Sequence, residues 1–320
     1  MGDERNFRSQ FYGKVGLREV EDKRAVEALF KEQPLDERKF SNFCQRSVVP
    51  GAYRFLVWKL LLHVTPRYAE SQDYVRQQQT LMFEELWRTL KSMGLQNIVV
   101  LGNDSSSDLT LPVIDEVNTK HKNKDGYDIP IPENYLLMWL ISEAKLLYSP
   151  KDQLKYKAYQ HFLKIVIKIQ NLFDNPVDVF HVSSALYSLL RKNETAISNA
   201  VMEAIGMLRK ENDSLHRHLM KVGLFSSTLL VDLCLSLFCD IFPETAVEKI
   251  LDKVIAGAFR VFAFVIFSLL VHLKQPLMSV SSVENARSII NMIRKDEAEI
   301  LVTSALDQWL KFGIVKRSQQ

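Results

Sequence analysis

Apolar residues recur along this chain at intervals of three and four, and runs of strict alternation are scarce. A period near 3.6 buries one stripe of a helix, whereas burying one face of a strand requires a period of two. The pattern therefore points to helices throughout and predicts an all-α fold. Hydrophobic residues fill 47% of the 320 positions, enough for one large core or two ordinary ones.

Helices are expected over 20–31, 35–45, 52–63, 72–93, 133–147, 152–173, 177–191, 195–208, 213–222, 228–241, 244–273, 283–293 and 297–312. The second ends before the punctuation Val49-Pro50-Gly51, and the third stops short of Pro66. Over 72–93 the spacing puts Met82, Leu86, Leu90 and Met93 on the buried face, with Leu81 beside them. Over 152–173, Tyr159, Phe162, Val166, Ile169 and Phe173 line one face. Asp213 is a natural N-cap, and Pro243 sits at a helix start, where its missing N–H costs nothing. Between 102 and 132 the run is polar and rich in helix breakers, which predicts a long mobile loop. No repeat of fixed period is visible.

Charge and cysteine usage exclude several classes. Forty-one Lys and Arg against 38 Asp and Glu leave a formal charge of +3 with no basic run, so nucleic acid is not an expected partner. The three cysteines form no CxxC pair, and Cys234 and Cys239 stand in an apolar run without ligand-like neighbours. Buried free thiols in a reducing compartment are the expectation. The first residues, Met1 to Arg5, are charged and lead into no apolar stretch, so no signal peptide is expected. Asn6 stands where a myristoylation site needs Ser or Thr. The most apolar run, 261–273, is thirteen residues long, includes His272, and is bounded by Arg260 and Lys274. A crossing needs about 18 to 20 apolar residues, so this run reads as a buried core helix.

Catalytic and cofactor signatures are missing. The chain has no P-loop, GxGxxG, HExxH or GxSxG pattern, and no cofactor or metal is expected. His216 and His218 are the only histidines close together, but two apart on a helix they point to different sides.

A family becomes visible at Pro50-Gly51-Ala52-Tyr53-Arg54-Phe55-Leu56-Val57-Trp58, where Pro, then Arg, then Trp four later resembles the opening motif of the TBC domain, the fold of Rab GTPase-activating proteins. Asp213, Leu215, His218-Leu219, Gly223, Leu237-Phe238, Pro243, Asp252 and Gly257 follow the spacing of that family's second half. The resemblance implies a TBC domain over 50–278, preceded by a helical extension over 1–49 packed on it and followed by C-terminal helices over 279–320. Physical reasoning gives the matched residues structural roles. Arg54 and Trp58 share a helix face, and Asp252 inside a helix is more naturally a hydrogen-bond acceptor than a catalytic acid.

The family's active members use two fingers, an Arg in an Ile-x-x-Asp-x-x-Arg motif and a Gln in a Tyr-x-Gln motif. A guanidinium placed in trans on the charge growing during GTP cleavage contributes roughly 10³ to 10⁵ in rate, and the Gln orients water. None of the ten tyrosines here is followed two positions later by Gln. Only Asp73 has an Arg three positions on, Arg76, and the residue three before it is Glu70 in place of an aliphatic. A surface i, i+3 pair is the expectation for Asp73 and Arg76. Leu101-x-x-Asp104-x-x-Ser107 has the spacing but ends in an uncharged side chain, and Leu251 replaces the Trp expected before Asp252.

A longer likeness extends into the flanks. Arg5-Asn6-Phe7-Arg8-Ser9, Tyr12, Lys14-Val15-Gly16 and Arg18, with Glu70-Ser71, Asp252-Lys253-Val254, Ala305, Asp307 and Trp309, resemble one branch of the TBC family. That resemblance implies a non-catalytic subunit of the tuberous sclerosis complex that binds the coiled coil of hamartin and, through it, tuberin. Tuberin then supplies GTPase activation toward Rheb, which restrains target-of-rapamycin signalling. A cytoplasmic protein recruited peripherally to lysosomal or vesicle membranes through its partners is implied in turn. The alternative is a Rab GTPase-activating protein that uses Arg76 as an unconventional finger.

Overall fold

A computed structural model describes residues 18–96 and 130–313. Among them no strand occurs, and the all-α expectation is met. In chain order the helices are α1 (Arg18–Lys31), α2 (Glu37–Arg46), α3 (Gly51–Leu61), α4 (Ala69–Ser92), α5 (Pro132–Ser142), α6 (Pro150–Leu154), α7 (Lys157–Gln170) and α8 (Pro176–Lys192). There follow α9 (Glu194–Glu211), α10 (Asp213–Val222), a 3₁₀ turn (Leu224–Ser226), α11 (Leu229–Leu235), α12 (Glu244–Ile255), α13 (Val261–His272), α14 (Lys274–Leu277), α15 (Val283–Asn291), α16 (Lys295–Gln308) and a π turn (Trp309–Gly313). Two compact units result, one running up to Val75 and resuming at Ser188, the other spanning Arg76–Tyr187.

The first unit is organised on α13. Up to Leu270 this helix is apolar on every side, as an enclosed helix must be, and only its last two residues, Val271 and His272, are exposed. Val261, Phe262, Val265, Ile266, Leu269 and Leu270 are all buried. It packs against α9 and α16, and Arg260, just before its start, reaches α9 and the π turn that follows α16. The Arg260 guanidinium donates to both carboxylate oxygens of Glu203 at 2.6 and 2.7 Å, and to the carbonyl of Gly313 at 2.7 Å. Among the described residues no helix is long and apolar enough to cross a membrane. Leu35, Phe40, Cys44, Val49, Val57, Leu60 and Ala256 make a second cluster, which binds α2 to α3 and to the end of α12.

The second unit is an aromatic core around α5. Residues 133–140 of this helix are all buried, and Pro132 opens it where no N–H is needed. The Trp139 ring meets Phe162 at 5.4 Å and Tyr187 at 5.2 Å, while Phe83 from α4 lies 6.1 Å from Phe180.

Several expected boundaries differ, each for a local reason. The helix expected over 244–273 is two, because Gly257 takes φ +80° and Ala258 donates back to the Lys253 carbonyl at 2.9 Å, a Schellman ending. The run 152–173 breaks at Lys155 and Tyr156 into α6 and α7. The helix expected over 133–147 stops at Ser142, where Ala144 enters the left-handed region. The helix expected over 228–241 ends at Leu235, and Leu237 and Phe238 then take φ of 54° and 55°. Both side chains are buried, so packing outweighs the steric penalty of that backbone. The helix expected over 297–312 gives way to the π turn at Trp309.

On α4 the buried stripe is offset from the expected one. Phe83 and Leu90 are buried and Leu86 half-buried, whereas Leu81, Met82 and Met93 are exposed, because Phe83 is drawn to Tyr135 and Phe180. Asn212, not Asp213, occupies the N-cap of α10, and Asp213 instead pairs with Arg217. The loop expected over 102–132 and the N-terminal likeness over 5–16 lie outside the described residues, except for Pro130, Ile131 and Pro132.

Candidate functional site: a buried polar node in the TBC fold

The motif residues of α3 converge on one carboxylate. Arg54 and Trp58 stand four positions apart, so the two side chains leave the same face of α3 and meet α12. The Trp58 indole N–H donates to Asp252 Oδ1 at 2.8 Å, and Arg54 Nε lies 3.1 and 3.3 Å from the two oxygens. The guanidinium also donates to Glu248 at 2.5 Å and to the Val49 carbonyl at 3.0 Å. Asp252 is 2% exposed and Arg54 side-chain exposure is 12%. Burial pushes the Asp252 carboxyl up to about 6, against the opposing pull of Arg54 and the Trp58 hydrogen bond.

The neighbouring Lys253 works in the opposite direction along the same helix. Its buried ammonium donates to the Cys44 and Ser47 carbonyls, each at 2.6 Å, and so caps the end of α2. In return Ser41 and Gln45 of α2 donate to the Ala256 carbonyl at the end of α12, at 2.9 and 2.8 Å. Each helix thus satisfies the terminal carbonyls of the other. Trp309 adds a donor to the Gln45 carbonyl at 3.3 Å. Pro50 stands at the N-cap of α3 and holds its start through its own carbonyl, which accepts from Arg54 at 3.1 Å.

Chemically, this arrangement joins helices. The Arg54 donors point at Asp252, Glu248 and Val49, away from solvent. Glu248 was not singled out from the sequence, and Lys253 entered only as part of the longer likeness; the visible signal was Glu248 four positions before Asp252, with Lys253 set among Leu251 and Val254 in a buried run.

The other motif residues lie apart from the node. Asp213 is exposed, and its carboxylate meets Arg217 at 2.7 Å. His218 is half-buried, with Nε2 lacking a hydrogen-bond partner among the described residues, and His216 stacks on Phe225 at 5.3 Å. Among the described residues no group of three His, Cys, Asp or Glu is placed to hold a metal ion. Cys44 and Cys234 are buried free thiols, both held well above the ordinary value by burial, Cys44 at about 12, while Cys239 is half-buried.

Arg76 has a different partner from the one expected. Its guanidinium meets Asp178 of α8 at 2.5 Å within the second unit, instead of pairing with Asp73. The i, i+3 spacing made Asp73 available, but the less exposed carboxylate of Asp178 offers the stronger interaction.

The helical course of the chain matches a solved fold. The Ypt/Rab-GAP domain of Gyp1p superposes with a TM-score of 0.53 at 14% identity, covering 92% of this chain and 98% of that one. The curated relatives agree over almost the full length. TBC1 domain family member 7 of Danio rerio is 28% identical over 313 residues, 97% of this chain and 96% of the relative. The chain has the fold of the TBC domain and is similar over nearly its whole length to TBC1 domain family member 7. Member 7 of Homo sapiens is similar at 27% over 310 residues, covering 96% of this chain and 95% of its own. The Bos taurus protein of the same name is 29% identical over 96% of this chain. No protein-family model matches the chain. The TBC likeness accordingly rests on the fold and on these full-length relatives, and the Arg54–Trp58–Asp252 node lies within it.

Proposed function

We propose that this TBC-domain protein is a non-catalytic subunit. In this reading it binds the hamartin coiled coil, and through it tuberin, and supports GTPase activation of Rheb and restraint of target-of-rapamycin signalling. The observation that carries the reading is the end-to-end similarity to TBC1 domain family member 7, joined to a sequence in which no Tyr-x-Gln occurs and only Arg76 approaches the finger spacing. The engagement of Arg76 by Asp178 supports it further, because an arginine finger must be free to turn toward phosphoryl oxygens. Grooves between amphipathic helices are suitable receptors for a partner helix, read through anchors three and four residues apart. Recruitment to lysosomal or vesicle membranes follows from the same assembly.

Single-turnover GTP hydrolysis across a panel of Rab proteins tests the non-catalytic half of this reading. The expected result is hydrolysis at the intrinsic rate of each GTPase. Acceleration that disappears in Arg76→Ala would establish the competing reading, an activator with an unconventional finger.

A further inference from the structure

The turn that follows α5 is held outward by a buried side chain. Ala144 takes φ +53°, and Lys145 donates back to the Leu140 carbonyl at 2.8 Å, so α5 ends abruptly. Gln153, 1% exposed, then fixes the next residues from beneath. Its Oε1 accepts from the Leu147 N–H at 2.8 Å and its Nε2 donates to the Lys145 carbonyl at 2.7 Å. A buried amide with both ends satisfied specifies a single backbone path.

That path presents apolar groups to solvent. Leu147 is 53% exposed, Tyr148 is completely exposed, and Tyr156 is 52% exposed while stacked on Tyr159. Lysines share the segment with them. Lys145, Lys151, Lys155 and Lys157 fall within 143–157 against only Glu143 and Asp152, and Lys151 makes no ion pair among the described residues. Lys145 lies over the Trp139 ring at 4.9 Å and pairs with Glu143, and Lys155 pairs with Asp152 at 3.5 Å.

We propose that the 143–157 turn docks directly on an anionic lipid surface. Leu147 and Tyr148 enter the headgroup region, where an amphipathic ring finds both an apolar and a wet neighbourhood, and the surrounding ammonium groups meet lipid phosphates and carboxylates. Exposed apolar side chains set among lysines suit a lipid surface, which takes up both, better than an acidic polypeptide, which would pair the charges and leave Leu147 and Tyr148 in water. Net charge within the turn is only +2, so the attachment is reversible and falls off within a Debye length of about 8 Å at physiological salt. This contact is independent of the hamartin reading and needs no partner protein.

Flotation of the purified full chain with phosphatidylcholine vesicles, with and without phosphatidylserine, tests the proposal. Capture by the phosphatidylserine vesicles alone, weakening as salt is raised, is expected. Lys151→Gln and Lys155→Gln should each weaken capture roughly fivefold. Leu147→Ser combined with Tyr148→Ser should abolish it, while Met292→Ser, at an exposed apolar position in the first unit, leaves it unchanged. Thermal melts confirm that each variant is folded. The proposal is overturned by absence of capture, by equal capture on both vesicle types, by folded turn variants that float like the parent, or by retention on polyglutamate without flotation.

Discussion

Asp252 shows how one carboxylate can join two helices and the segment that leads into one of them. Its oxygens take the Trp58 indole and the Arg54 guanidinium, and the guanidinium in turn holds Glu248 and the Val49 carbonyl. Removing the acceptor strands a buried cation and an indole N–H, so Asp252→Ala is expected to cost about 3–5 kcal/mol in urea unfolding. Trp58→Phe keeps an aromatic ring but loses the donor, and should cost about 1.5–3 kcal/mol from the hydrogen bond, plus any packing loss from the smaller ring. A pH dependence follows from burial. The Asp252 carboxyl sits at about 6 in the folded chain against an ordinary value of 3.8. Between these values the folded chain holds a proton that the unfolded chain has released, so this contribution to stability is present at the acid end and is lost as pH rises through about 6. Urea midpoints compared between about pH 4 and pH 7 should show that loss in the parent and a flatter profile in Asp252→Asn.

At the scale of elements, glycines separate backbone need from helix propensity. Gly206 lies inside α9 with open space around its missing Cβ, whereas Gly257 ends α12 at φ +80°. Gly206→Ala should stabilise the chain by about 0.5–1 kcal/mol, and Gly257→Ala should destabilise it by about 1–2 kcal/mol, both read as shifts in the urea midpoint. Gly313→Ala would drive its methyl into the Trp309 ring and should loosen the π turn, seen as faster amide exchange there. The same contrast explains what the sequence could disclose. Helical periodicity located nearly every element, because amphipathic stripes are local. Where α12 and α13 part at Gly257, both sides are apolar, so periodicity alone carried the reading through the break. The offset face of α4 was hidden for another reason. Met82 and Phe83 are adjacent and both apolar, and only the Tyr135 and Phe180 rings decide which one turns inward. Within the node, Arg54, Trp58 and Asp252 were legible as a motif. Glu248 carried no motif, and the role of Lys253 was not visible; partners about 200 residues away leave no local pattern, and Arg54 and Asp252 were found only through the family resemblance.

At the scale of the molecule, the TBC fold is kept while three of its described arginines are each committed to a carboxylate. Arg54 is committed to Asp252 and Glu248, Arg76 to Asp178, and Arg260 to Glu203 and Gly313. A fold of this kind offers helix grooves and surfaces, and on the reading proposed above it serves as a receptor for a partner helix. The most direct measurement of that claim is a calorimetric titration of the purified full chain with a hamartin coiled-coil fragment. Saturable binding with a dissociation constant at or below the micromolar range, unchanged in Arg76→Ala, is the predicted result. No association at micromolar concentrations, with both components folded, would contradict it.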